Sequence, residues 1–272
     1  MNLEVEKYIS GGVVEEIEIE EKIEYKSLEE RFEVPYEEEI MERLDKGKRN
    51  NEELLHLSIL ALHEFFLKYN CLPEINNIND SKKIIDISYT ILNDLKKKEY
   101  EWIKLIQLID EKFIEKIGRW SRCHISPVCS FLGGIVSQEI LKYYGKFVPI
   151  NQWFWFDFLE IIKNQKENEI NREIEQSRYD DQIAIFGQEF QKKIKKLNIF
   201  IIGSGAIGCE YLKNLSMMGI CSDKTKNNNS KVTITDNDCI EISNLNRQFL
   251  FNKSNIGQSK SKCACNKIKL FN

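Results

Sequence analysis

One stretch, Leu197 to Gly219, constrains this chain more than any other. An apolar run of strand length, Ile199 to Ile202, leads into Gly203-x-Gly205-x-x-Gly208, after which Ile207, Tyr211, Leu212 and Leu215 keep helical spacing. That order predicts strand, tight turn and helix. Gly203 can adopt the backbone angles of the turn, Gly205 removes a side chain that would hold a phosphate off, and Gly208 lets helix and strand approach. The N–H groups of the helix's first turn then face an anion. Such a loop points to a nucleotide without saying which one.

A second strand, Val232 to Thr235, ends in Asp236-Asn237-Asp238. A carboxylate at the tip of that strand is placed to accept hydrogen bonds from both ribose hydroxyls, and the role falls to Asp236. Asp236 follows Gly203 by 33 residues, an excess that the polar insert Ser222 to Ser230 explains. Asn244, Arg247 and Gln248 come next, a cluster of little use to hydride transfer. A triphosphate site does use it, because a guanidinium bridges phosphate oxygens bidentately. Lys260 adds a point charge, with a wet helix face for Lys260 and Lys262 as the plain alternative.

Composition excludes some classes. Charged residues at 30%, hydrophobic residues at 42% and a net charge of -4 describe a globular protein with no general attraction to nucleic acid. The eight cysteines include no C-x-x-C pair, which argues for free thiols in a reducing compartment. The apolar patch Trp153 to Ile162 is interrupted by Asp157 and Glu160 and is too short for a bilayer, and no signal peptide is visible.

Earlier in the chain, Val13, Ile17, Ile19 and Ile23 alternate with glutamates after Gly11-Gly12, which predicts short strands, either the end of a larger sheet or a small hairpin. From Ser27 to Leu55 the sequence is acidic, then basic at Lys46 to Arg49, and reads as irregular. Three helical stripes follow: Leu54 to Leu67, Ile84 to Leu95, and Trp102, Leu105, Ile109, Phe113 and Ile117. Helices this amphipathic predict a small bundle. His56 and His63 read as packing or surface residues, and His124 beside Cys123 has no third group to make a catalytic set. Gly133-Gly134 predicts close packing of a helix that Gly145 ends. Pro149 to Phe156 reads as a buried strand, Lys163 to Glu175 as a linker, and Ser177 onward as one helix to about Lys196.

The chain resembles the ubiquitin-activating enzymes (E1), within the wider ThiF and MoeB-like adenylation group. The resemblance rests on Ser177-Arg178-Tyr179-Asp180-x-Gln182-Ile183-Ala184-x-Phe186-Gly187 and on Gly203-x-Gly205-Ala206-Ile207-Gly208-Cys209-Glu210. It rests further on the run from Thr235-Asp236 through Asn244-Leu245-Asn246-Arg247-Gln248 to Phe251. Upstream, Ser10 to Gly12, Phe131-x-Gly133-Gly134, Gln138-Glu139 and Gly145 to Trp153 are similar too. The implied fold is α/β, an incomplete Rossmann-like ThiF-type adenylation fold preceded by a helical bundle and a short β segment. The implied parse gives 1–25 to the end of a catalytic-cysteine half-domain and 26–120 to a four-helix bundle. It gives 121–162 to the end of an inactive adenylation half, 163–175 to a linker, and 176–272 to the start of the active half.

Carried over residue by residue, the resemblance implies ATP binding by Gly203, Gly205, Ala206, Gly208, Asp236, Arg247 and Lys260. Arg247, Lys260 and Asn244 serve adenylation. It implies Mg2+ held by an aspartate outside this sequence, ubiquitin as substrate, ubiquitin-conjugating enzymes as partners, and residence in cytoplasm and nucleus. The thioester cysteine and an arginine lent by the inactive half are also expected outside. The expectation is therefore an interior piece of a longer enzyme, inactive alone, with a nucleotide half-site or scaffold role as the alternative. An NAD-dependent oxidoreductase is the rival from another class.

Overall fold

The computed structural model describes residues 2–9, 13–20, 25–36, 52–144, 147–151, 153–162, 170–223, 225 and 230–271. Expectations resting on Gly11-Gly12, Lys46 to Arg49, Gly145, Gln152 and residues 163–169 of the linker lie outside them. Two compact units are present, Met1–Arg122 with Leu132–Lys163, and Cys123–Phe131 with Asn164–Asn272.

The first unit opens with β1 (Asn2–Ile9) and β2 (Val13–Glu20), an antiparallel pair with Ile9 opposite Val13 and Asn2 opposite Glu20. A short helix, α1 (Leu28–Glu33), begins at a capping box in which Ser27 and Glu30 exchange hydrogen bonds. The helices α2 (Glu52–Tyr69), α3 (Ile78–Lys97) and α4 (Glu111–Trp120) then pack on one another. Leu57, Ala61 and Phe65 of α2, Ile84, Leu92 and Leu95 of α3, and Phe113 and Ile114 of α4 form the core. Each large aliphatic side chain buried in this way contributes about 1.5–3 kcal/mol. Asn77 caps α3 through the N–H groups of Asn79 and Asp80, and Asp110 caps α4 through that of Phe113.

Three expectations for this unit need correction. Leu67, placed in the first apolar stripe, is exposed. The third stripe is not one helix: Glu101–Leu105 forms a 3₁₀ turn, and α4 starts afresh at the Asp110 cap. Pro149 to Phe156, read as a strand, is irregular where described. Its alternation is real, since Phe154 and Phe156 are exposed while Trp153 and Trp155 turn inward, but among the described residues no neighbouring strand offers a ladder. The indole of Trp153 instead donates to the Arg31 carbonyl at 3.1 Å. Both tryptophans and Trp102 surround His56, whose Nε2 lies 2.9 Å from the Phe32 carbonyl. His63 stacks on Phe32. These are packing histidines, and among the described residues no group of three or more His, Cys, Asp and Glu could hold a metal ion.

Helix α5 (Ser126–Tyr144) is shared between the units. A Cβ at Gly133 or Gly134 would meet nothing within 4 Å, so the expected close packing is not found there among the described residues. In the second unit, Ser126 and Ser130 both donate to Asn214 Oδ1, at 2.7 and 3.0 Å.

The helix expected from Ser177 to Lys196 is two, α6 (Asp180–Phe186) and α7 (Gln188–Lys195). They part at Gly187, whose φ of 86° a helix cannot contain and whose Cβ would lie 2.4 Å from Ile170 Cγ2. The motif before the glycine turn works as scaffold. The Ser177 N–H and hydroxyl both donate to Asp180 Oδ1. Buried Gln182 donates to Gln191 Oε1 at 2.7 Å, and both glutamines donate to the Met218 carbonyl. β3 (Asn198–Ile202), α8 (Ala206–Met217) and β4 (Lys231–Thr235) follow. The two strands are adjacent and parallel, as strand–glycine–helix–strand order predicts, with Ile202 opposite Thr235. Ile201, Val232 and Ile234 pack against Cys209, Leu212 and Cys263 on the face that α8 and α9 (Lys260–Ile268) cover. Phe200 and Ile202 are exposed on the other face. No described helix is long and apolar enough to cross a membrane.

Candidate functional site

The site forms where β3 and β4 end. Gly203 has φ 95° and donates to the Thr235 carbonyl at 2.8 Å, extending the ladder by one bond before the chain turns away. A Cβ on Gly208 would stand 2.2 Å from the Gly203 carbonyl oxygen, so only glycine permits this approach of helix to turn. A Cβ on Gly205 would meet nothing within 4 Å, which leaves the space above the turn open. Gly205 is the N-cap of α8 and Ala206 its first residue, and no side chain caps that end. No acidic residue lies in the first turn, so the first-turn N–H groups and the positive end of the helix dipole lack a side-chain partner from the helix itself.

Asp236, half-buried just beyond β4, closes the turn. Its Oδ2 accepts from the Ser204 N–H at 2.6 Å and from the Ser204 hydroxyl at 3.2 Å, and its Oδ1 accepts from the Asp238 N–H at 2.8 Å. Burial works to raise its pKa, but these hydrogen bonds and the charge of Lys260 outweigh burial and hold the carboxyl below the usual range. Three of about four lone-pair positions are thus in use. A ligand with two donors would need the Ser204 hydroxyl to turn away.

Lys260 is the first residue of α9, and its ammonium lies 2.8 Å from Asp238 Oδ2. The wet-face alternative fails for Lys260, whose side chain is 9% exposed, but suits Lys262, which is exposed. The hydrogen bond to Asp238 comes first among the causes that raise the Lys260 pKa above its ordinary value. A pinned loop makes the meeting possible. Ile240 N–H donates to the Gln258 carbonyl, Gly257 N–H to the Ile240 carbonyl, and Lys260 N–H to the Asp238 carbonyl. These bonds draw Asp238 and Lys260 together across 22 residues of sequence.

Arg247 and Asn244 lie on that loop. Arg247 is exposed, and its guanidinium donates to the Ser243 carbonyl at 2.8 Å and to Asn246 Oδ1 at 3.0 Å. No carboxylate among the described residues pairs with it, so its charge remains available to an anion. Asn244 is buried, and its Oδ1 accepts from the Glu241 N–H at 3.0 Å, a cap that shapes the loop. The contacts join Ser204, Asp236, Asp238 and Lys260 into one cluster; they leave Arg247 and Asn244 as a second, separate set. The sequence alone assigns no role to Ser204 or Asp238. The signal for both was present, Ser204 within the glycine motif and Asp238 two residues past Asp236, but an interior turn position and a second acidic residue carry no role by themselves.

Residues 179–272 match the ThiF family, and residues 19–92 match the ubiquitin-activating enzyme E1 four-helix bundle. Over 267 residues the chain is 37% identical to ubiquitin-activating enzyme E1 1 of Triticum aestivum, covering 97% of this chain and 24% of that protein. It is 35% identical over 269 residues to ubiquitin-like modifier-activating enzyme 1 of Mus musculus, with 97% and 24% covered. Among solved structures, E. coli MccB with ATP is 27% identical over 36% of this chain and 28% of that one, at a TM-score of 0.31. The chain spans about a quarter of the length of the curated relatives it matches. It belongs to the ubiquitin-activating enzyme E1 family, with its glycine turn, Asp236 and Lys260 in the ThiF portion.

Proposed function

We propose that residues 176–272 form one side of an ATP site, within a protein that adenylates the carboxyl terminus of ubiquitin and passes it to a thiol. The observation that carries this reading is the uncapped end of α8 beside Asp236 and Lys260, at the carboxyl ends of two parallel strands. In that chemistry a carboxylate oxygen of ubiquitin attacks the α-phosphorus of ATP, the bond to pyrophosphate breaks, and pyrophosphate leaves. A cysteine thiolate elsewhere in the protein then attacks the acyl carbon and releases AMP. From there ubiquitin goes to ubiquitin-conjugating enzymes, in cytoplasm and nucleus.

Each residue here has a part in binding and charge. The first-turn N–H groups of α8 receive phosphate oxygens. Asp236 accepts from the ribose. Arg247, which no described carboxylate holds, and Lys260 offset negative charge that builds on the phosphoryl group and its leaving group. No described residues are assigned to magnesium.

Titrating the chain with ATP and with 2′,3′-dideoxy-ATP tests the assignment. A hydrogen bond to a charged group contributes about 1.5–3 kcal/mol, so ATP should bind on the order of ten- to a hundredfold more tightly. Equal affinity for the two nucleotides would remove Asp236 from the ribose.

A further inference from the structure

The Asp238–Lys260 pair has an unusual build. Lys260 opens α9, so its ammonium stands at the positive end of a helix dipole, where a cation is disfavoured. It is also withdrawn from water, with its side chain 9% exposed, whereas that of Asp238 is 70% exposed. A lysine in that position needs a carboxylate to hold it, and Asp238 supplies one at 2.8 Å. Asp238 is itself held in place: its N–H donates to Asp236 Oδ1, and its carbonyl accepts from the Lys260 N–H. Asp236 in turn binds the Ser204 N–H inside the glycine turn. Ser204, Asp236, Asp238 and Lys260 thus form a continuous line from the turn to the lysine. The charges of Asp236 and Glu241 also act on Lys260, in the same direction as that of Asp238.

We propose that Asp238 is a positioning residue: its ion pair holds the Lys260 ammonium beside the glycine turn, ready for the phosphates of a nucleoside triphosphate to take over as partner. This rests on the ATP reading above. A solvated carboxylate next to a triphosphate is otherwise a liability, since it repels the ligand. Its partner is the buried cation, so the exposed aspartate is the member of the pair free to swing away while the lysine stays.

The test is a double-substitution cycle on the whole chain. ATP affinity is measured for the wild type, Asp238→Ala, Lys260→Ala and the double variant, with circular dichroism to check folding. Asp238→Ala should weaken ATP binding about tenfold, and should cost nothing further once Lys260 is alanine, because the aspartate acts only through the lysine. Asp238→Glu should recover part of the loss. Unchanged or tighter binding in Asp238→Ala, or a loss that persists in the Lys260→Ala background, overturns the proposal.

A second measurement needs no nucleotide. The rate of amine acylation at Lys260, followed by peptide mass spectrometry at fixed pH, should rise several-fold in Asp238→Ala, as the pair that protects and protonates the amine is lost. An unchanged rate overturns the pair itself. A raised rate in a chain that binds no ATP upholds Asp238 as the lysine's positioning residue and refutes the nucleotide reading instead.

Discussion

Replacing Gly208 with alanine isolates the close approach on which the turn depends. The new methyl would sit 2.2 Å from the Gly203 carbonyl oxygen and 3.0 Å from its carbon, where ordinary contact begins at 3.4 Å. Both obstacles are backbone, so no side chain can swing aside, and α8 must retreat from the turn by about an ångström. The Gly203 N–H is bonded to the Thr235 carbonyl, so that retreat pulls on the β3–β4 edge. Overpacking of this kind costs about 1–3 kcal/mol. Alanine returns up to about 1 kcal/mol through helix propensity. The net loss is on the order of 1–2 kcal/mol, a factor of about 5–30 in the folded population. Native-state hydrogen exchange at the amides of β3, β4 and α8 reads it directly as lost protection. Gly205→Ala is the control: its Cβ meets nothing within 4 Å and its φ of -74° is open to alanine, so its loss should be distinctly smaller. If Gly208→Ala keeps full protection, or if the two variants are alike, the close-approach reasoning is wrong.

Burial lowers the His56 pKa to about 4, against a smaller opposing effect of its hydrogen bond to the Phe32 carbonyl. Its folded value lies below the unfolded one near 6.5, so the stability from neutral His56 is complete above 6.5 and drains away as pH falls toward 4. That amounts to about 3 kcal/mol; denaturation midpoints against pH should show the slope, and His56→Gln should flatten it. Gly187→Ala forces a left-handed φ and drives a methyl into Ile170, so urea denaturation should show a loss of at least about 1–2 kcal/mol. Asp110→Ala removes the cap on the Phe113 N–H and should cost about 1 kcal/mol, with exchange quickening first at the start of α4.

Local and periodic features were legible in the sequence alone. A strand-length apolar run, three glycines at fixed offsets and a helical stripe dictated β3, the turn and α8, because backbone angles and side-chain period act over a few residues. Gly203 at positive φ and Gly208 against the turn follow from glycine's missing side chain alone. The stripes of α2 and α3 were legible in the same way, since a helix that buries one face must repeat its apolar residues every three or four positions. Tertiary structure decided what period cannot encode. The indoles of Trp153 and Trp155 look like strand residues until α1 and α2 present a carbonyl and a histidine to them. Residues 177–196 look like one helix until Ile170 occupies the space beside Gly187. Asp238 and Lys260 look like two ordinary surface charges until the loop between them is pinned at both ends. In each case the outcome depends on which distant group the fold brings within reach.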